Sequence, residues 1–303
     1  MSKKLKGKVK QIWESKIKQT PSKNTHISYS SFSTYTKCPK LWELQYLRNQ
    51  VPFKQSIYTC FGTSMHETIQ HWLEVMYMES VKESDNIDLK TFLYESLAKN
   101  YKSGKAINGH EHFSSPDELK SFWLDGISIL EFLQKNKRKY FGTKTMQLSG
   151  IETLLYHPIK DNVVFKGLID LVFYHPNSDT WTIMDIKTST RGWDAKAKKN
   201  PNLTAQVILY KEFFSRQFDI PQEKINVEYF IVKRITPKDP IYPAQLSKVQ
   251  TFSPVSGPRK TKQVLESMSK FIDDVIDENG GLKDQSYSCN NPLGCCPDCK
   301  PFV

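Results

Sequence analysis

Two apolar runs rich in β-branched and aromatic residues, Val163 to Tyr174 and Trp181 to Thr188, are separated only by His-Pro-Asn-Ser-Asp. Turn-forming residues between two such runs specify an antiparallel hairpin. With the turn centred on Asn177 and Ser178, Asp170 falls directly opposite Asp185, their Cβ atoms about 5 Å apart. Lys187, two residues beyond Asp185, shares that face. Both acids are flanked by apolar residues, so the strands read as buried on both faces, where facing carboxylates repel and burial drives one pKa up. A hard divalent cation between them removes the conflict.

The rest of the chain supplies a frame for this hairpin. Leu148 to Tyr156 reads as a first core strand and Ile225 to Lys233 as a further buried one. Asn202 to Phe218 is helical, which puts Gln206 and Tyr210 one turn apart on one face. A strand, helix and strand in that order form a βαβ-type crossover, packing this helix on the sheet near Lys187. Upstream, Ser30 is placed to cap a first helix and Pro39 to start a second. Phe61 to Met78 repeats apolar residues at helical spacing (Met65, Ile69, Trp72, Leu73, Met76), which sets His66 beside a packed face. Ser115-Pro-Asp-Glu118 has the form of a capping box opening a helix through Leu130. A helix from about Thr261 to Asp277 precedes a cysteine-rich tail, and no internal repeat is evident.

Composition narrows the partners. The 303 residues, 38% hydrophobic and 12% aromatic, can build a real core in one large or two small domains. The net charge of +11 is uneven, because eight lysines crowd into the first 24 residues against the single acid Glu14. That favours a polyanion, DNA or RNA, although a basic tail that only aids solubility gives the same pattern. No secretory segment and no apolar run long enough to span a bilayer is present, so the expectation is a soluble, cytoplasmic protein (the host cytoplasm if viral) with no membrane contact. Four of six cysteines, Cys289, Cys295, Cys296 and Cys299, lie close to the end of the sequence, with Cys38 and Cys60 far upstream. Disulfides are not expected in a reducing compartment, and Cys60 beside the His66 helix reads as core.

Asp170, the Asp185-Ile186-Lys187 triplet and the Gln206-to-Tyr210 spacing together resemble the signature of the PD-(D/E)XK nucleases, in the branch that contains the RecB and AddB nuclease domains, Cas4 and phage relatives. Gly62-Thr-Ser-Met-His66-Glu67 resembles that branch's upstream helix. Ser28-Tyr-Ser-Ser-Phe, Tyr35-Thr-Lys-Cys38-Pro39 and Leu41-Trp-Glu-Leu-Gln-Tyr46-Leu resemble its N-terminal element. The matches run in family order over roughly residues 27 to 235. The resemblance implies an α/β fold with a restriction-endonuclease-like core, a mixed central sheet flanked by helices. The expected divisions are a basic, flexible segment (1–26), a helical region with the His66 helix (27–145), the catalytic core (146–240), and a C-terminal helix with a cysteine-rich tail packing back on the N-terminal region (241–303).

The resemblance also implies roles. Asp170, Asp185, the Ile186 carbonyl and His66 would hold Mg²⁺ or Mn²⁺, the imidazole leaning toward Mn²⁺. Lys187 would orient the attacking water, and Gln206 and Tyr210 would hold substrate phosphate or neighbouring groups. Glu152, on the first core strand, is a supporting carboxylate. In relatives with a [4Fe-4S] cluster, one cysteine at the Cys38 position joins three near the C-terminus. Here the order of spacings differs and Cys295 adjoins Cys296, so a cluster, a zinc ion or no metal all stay open. Between Ser189 and Pro201, Arg191, Trp193, Lys196, Lys198 and Lys199 could contact phosphates and stack a base, or form an ordinary surface loop. The expected activity is a DNA exonuclease of recombination, repair or phage replication, working with recombination or replication proteins. Cas4-like or endonucleolytic cleavage, and a non-catalytic DNA-binding subunit, are the alternatives.

Overall fold

The hairpin forms in the register that its turn dictates. The computed structural model describes residues 25–51, 54–239, 241, 243–290 and 299; residues 1–24 of the basic leading segment, and Cys295 and Cys296, lie outside them. The strands are β1 (Thr25–Ile27), β2 (Gln147–Lys160), β3 (Val163–His175), β4 (Thr180–Ser189), β5 (Ile225–Lys233) and β6 (Val249–Phe252). The helices are α1 (Tyr29–Lys37), α2 (Pro39–Trp42), α3 (Ile57–Met78), α4 (Val81–Asn86), α5 (Leu89–Ile107), α6 (Pro116–Lys135), α7 (Lys137–Tyr140), α8 (Ala195–Lys199), α9 (Pro201–Phe218) and α10 (Pro258–Val275). All six strands form one mixed sheet in the order β1-β3-β4-β5-β6, with β2 paired to β3.

Strand β3 organises the sheet. Along one edge it pairs antiparallel with β2 from Val163 to Tyr174. Along the other edge its first residues, Val163 to Phe165, pair parallel with β1, and its last, Leu171 to His175, pair antiparallel with β4. Among the described residues, Lys166 to Asp170 have no ladder partner on that second edge, and a notch opens there. Burial on both faces accordingly holds at Val163–Phe165 and Leu171–Phe173, whereas Lys166 and Leu168 between them are exposed. Strand β4 leaves β3 at Met184 and continues parallel to β5 through Ser189.

Each face of the sheet is closed by a helix whose apolar stripe fits it. Met65, Ile69, Trp72 and Leu73 of α3 pack with Met184, Ile186 and Phe230 on one face. Helix α3 starts a turn earlier than its apolar repeat suggests, because Ser56 and Thr59 form a reciprocal capping box. Val207, Ile208, Phe213 and Phe214 of α9 pack with Ile183, Tyr229 and Ile231 on the other face, against α10. Two caps differ from expectation. Ser28, not Ser30, caps α1 by accepting from Ser31 N–H at 3.1 Å. Ser115 caps α6, but Glu118 accepts from the Ser114 hydroxyl and leaves the reciprocal half of the box unmade.

The segment after α10 returns to α1 and α2. Buried Glu43 accepts from Tyr287 N–H at 2.9 Å and pairs with Lys40 and Arg48, Arg48 pairs with Asp284, and the Tyr287 ring lies against Trp42 and Tyr35. Strand β1 begins at Thr25, inside the segment expected to be flexible.

Gly167, in the notch, carries a testable consequence. A Cβ there would lie 2.9 Å from the ring of Tyr210, itself buried. Alanine in a strand is normally preferred to glycine; here the sign should reverse, with Gly167→Ala destabilising by about 1–3 kcal/mol through overpacking. Urea unfolding measures this, and an unchanged or raised midpoint would contradict it.

Candidate active site

Asp170 and Asp185 meet where β3 and β4 part. The ladder ends at Leu171 and Met184, one position short of the two acids, and in the same register Asp170 stands opposite Asp185. In place of a further ladder bond, Asp170 Oδ2 accepts from Ile186 N–H at 2.7 Å. The same oxygen lies 3.5 Å from His66 Nδ1, which α3 brings in from one face of the sheet. Asp185 is 1% exposed, and its Oδ2 lies 2.8 Å from Lys187 Nζ. That ion pair is the one partner of Asp185 Oδ2 among the described residues, and its angles are poor for a hydrogen bond.

The charges at the notch are set against each other. Burial, then the charge of Asp185, pushes the Asp170 carboxyl well above the usual range, against Lys187 and the Ile186 N–H. Burial also raises Asp185, with Lys187 opposing. Burial works against the Lys187 ammonium too, yet Asp185 beside it holds its pKa above the ordinary lysine value. His66 is pushed down to about 4 by burial and by Lys187, against a hydrogen bond to the Ile186 backbone. Its imidazole is therefore neutral at pH 7, and the contact with Asp170 is not an ion pair. A neutral imidazole is the ligating form.

These residues suit a hard divalent cation. Carboxylate oxygens with one neutral imidazole match Mg²⁺ or Mn²⁺ chemistry, and the buried Asp185 carboxylate, met by a single ammonium, keeps lone pairs that a cation can take. Among the described residues only the three cysteines described below bring three ligand atoms within 4.8 Å of one another; His66, Asp170 and Asp185 do not.

The opposite face contributes a second group. Gln206 Nε2 donates to Tyr210 OH at 3.1 Å, and burial pushes the Tyr210 phenol up to about 12, with Asp185, Lys187 and Asp170 all near enough to act on it. Tyr29, a residue with no obvious chemistry in the sequence, is also within electrostatic reach of Lys187 and Asp185 and donates to the Asn202 carbonyl in the first turn of α9. Tyr229 stands beside Asp185 in the parallel ladder, its ring 5.9 Å from Lys187 Nζ. Glu152 is exposed, acts on the Asp170 charge, and accepts from Gln70 Nε2 at 2.6 Å. Gln70 gave no signal in the sequence beyond its place one turn after His66.

The segment after β4 divides. Residues Ala195–Lys199 form the short helix α8 rather than open loop, with Lys196 and Lys199 exposed and Arg191 exposed ahead of them. Lys198 lies over the Phe252 ring. Trp193 packs 4.7 Å from the Tyr229 ring and is pinned through its backbone by the Gln250 side chain. This indole lies half-buried at the edge of the core.

Cys38, Cys289 and Cys299 converge beneath α1 and α2. Their sulfurs lie 3.4, 3.9 and 4.0 Å apart, too far for disulfides. Cys38 is the junction of α1 and α2, its sulfur accepting from Leu41 N–H. Four thiolates at about 2.3 Å from one tetrahedral zinc would be spaced roughly 3.8 Å apart, close to what is seen. Cys60 is core: its thiol points at Leu97 O, and burial pushes its pKa up to about 11.

Two solved structures are similar over most of the chain. One is a "Putative exonuclease" from Eubacterium rectale, with 14% identity and a TM-score of 0.49 over 84% of this chain and 85% of that one. The other is a protein named SSO0001, with 13% identity and a TM-score of 0.34 over 86% and 84%. No curated protein matches the chain. The model of the PD-(D/E)XK nuclease superfamily matches residues 26–300, nearly the whole length, and the chain belongs to that superfamily.

Proposed function

We propose that this nuclease is a metal-dependent DNA exonuclease, and that Asp170, Asp185, Lys187 and His66 carry its chemistry. The observation that supports this most directly is the buried Asp185 carboxylate, ion-paired with the Lys187 ammonium and opposite Asp170. Asp170 and Asp185, with neutral His66 and the Ile186 backbone, are the residues that would hold Mg²⁺ or Mn²⁺. Such an ion, when bound, makes a nucleophile available from water at neutral pH and offsets charge on the phosphate. Lys187, fixed by Asp185, orients the attacking water and balances charge that develops in the transition state. Tyr210 accepts from Gln206, which leaves its own O–H to donate to a phosphate oxygen. Arg191, Lys196 and Lys199 form an exposed basic rim for the nucleic-acid backbone.

The chain has no Gly-x-x-x-x-Gly-Lys-Ser/Thr sequence, hence no nucleotide-driven motor of that type, and an enzyme acting on existing DNA ends is the simplest fit. Recombination, repair or phage replication is the setting in which such an activity is used. The test uses labelled linear and circular DNA, single- and double-stranded, with Mn²⁺ or with chelator. Linear DNA should lose label only with metal present, and circles should survive. Cleaved circles would make the enzyme an endonuclease of Cas4-like or other type, and binding without cleavage in any metal would make the chain a DNA-binding subunit. Lys187→Ala should lower kcat by roughly 10²–10³ with little change in KM.

For the cysteines, the sulfur spacing favours a structural zinc held by Cys38, Cys289, Cys299 and one of Cys295 or Cys296, over a [4Fe-4S] cluster whose ligands bind separate irons. Its role would be to fasten the tail to α1 and α2. Metal analysis of the full chain should give one zinc per molecule in a colourless protein, lost in Cys38→Ser together with protection of the tail from proteolysis. A brown protein carrying iron and sulfide would establish the cluster instead.

A further inference from the structure

Asp170 sits where the sheet does not hold it. On the β4 side, pairing stops at Leu171. On the β2 side, the ladder runs through Ile151 with Leu171 and Thr153 with Ile169, passing over Glu152 and Asp170, which stand opposite each other. Glu152 has a φ of +48°, a left-handed conformation that a residue with a Cβ adopts at a cost, and costly inside a strand. Something outside the sheet must hold these two residues. Gln70 does so from α3, one turn beyond His66 and on the same side of the helix. Its side chain is buried, at 7% exposure, and its amide faces both residues: Nε2 lies 2.6 Å from Glu152 Oε1 and 3.4 Å from the Asp170 carbonyl.

We infer that Gln70 is a positioning residue of the cation site, bracing Glu152 and the Asp170 backbone so that the Asp170 carboxylate stays between His66 and the Ile186 N–H. The inference rests on the metal-dependent reading above. The short bond goes to a carboxylate, and such charge-assisted bonds are the stronger kind. The same helix thus delivers a ligand-type imidazole through His66 and, one turn later, the brace for the acid that the imidazole touches. Groups of this kind, which orient ligands without touching the metal, commonly change metal affinity when removed. Glu152 also adds negative charge near Asp170, which the brace keeps at a fixed distance.

The experiment measures Mn²⁺ affinity of the full chain by calorimetry, together with cleavage of linear DNA. Gln70→Met keeps the side-chain volume and removes both donors, and should weaken Mn²⁺ binding roughly 10- to 100-fold. Glu152→Ala, on an exposed side chain, should weaken it in the same direction. The double variant should be no weaker than the worse single one, because both act through one contact. In cleavage, kcat should fall while KM for DNA stays within about twofold. A purely structural hydrogen bond would lower the melting temperature of Gln70→Met and leave Mn²⁺ affinity at the wild-type value. That outcome, additive losses, or absence of Mn²⁺ binding by the wild-type chain would overturn the inference. If Gln70→Met does not fold, Glu152→Ala alone decides. Should the affinities shift as expected while the wild-type chain cuts no DNA, the nuclease reading falls and the role of Gln70 stands.

Discussion

Two carboxylates at the parting of two strands, Asp185 fully and Asp170 largely withdrawn from solvent, govern this molecule. Asp170 and Asp185 repel, and burial raises both their pKa values. Like charges this close in a low-dielectric setting cannot both be comfortable, and the protein answers with one ammonium and one backbone N–H, Lys187 and Ile186. That answer is partial: one ammonium stands against two carboxylates. An incomplete balance of this sort destabilises a fold and serves a site, because a cation that completes it binds the folded state and is rewarded by the relief of repulsion.

The sheet is built to make that conflict accessible. If β3 and β4 paired along their whole length, the two acids would face each other within a continuous ladder with little room between them. Instead β1 takes the start of β3, β4 takes its end, and β4 moves on to pair with β5. The notch between is lined from both faces: His66 and Gln70 come from α3, and Gln206, Tyr210 and, through α1, Tyr29 come from the other side. Gly167 lets the Tyr210 ring approach the strand, and Gly62 brings α3 close to Thr188 of β4. A helix on each face, fixed by a large apolar core, gives the positional precision that a hydrolytic site requires.

Local chemistry made much of this legible in the sequence. The hairpin register followed from β-branched runs and one short turn, and it carried Asp170, Asp185 and Lys187 with it. Helix α9 and strand β5 were equally plain, because their apolar patterns are long. What escaped were features whose cause lies elsewhere in the chain. Strand β1 is three residues that pair along an edge of β3, and β6 pairs with β5 across a long connection. Gln70 looks like any polar residue on an amphipathic helix until Glu152 and Asp170 are seen beneath it. The contacts of Trp193 with Tyr229 and Gln250 had no local signal either.

The tail shows how the same physics works at long range. Cys38 ends α1 and begins α2, so its sulfur position is fixed by two helices at once. The opposite end of α1 carries Tyr29, which touches the first turn of α9. A rigid nine-residue helix therefore has the cysteine group at one end and the neighbourhood of Lys187 at the other. Glu43, buried and surrounded by Lys40, Arg48 and the Tyr287 N–H, fastens the returning segment to the same element, and a buried charge with this many partners is expensive to disturb. The distant cysteines thus belong to the same mechanical unit as the site. A metal held there, as proposed above, would stiffen α1 and hold Tyr29 and the start of α9 more closely against the notch.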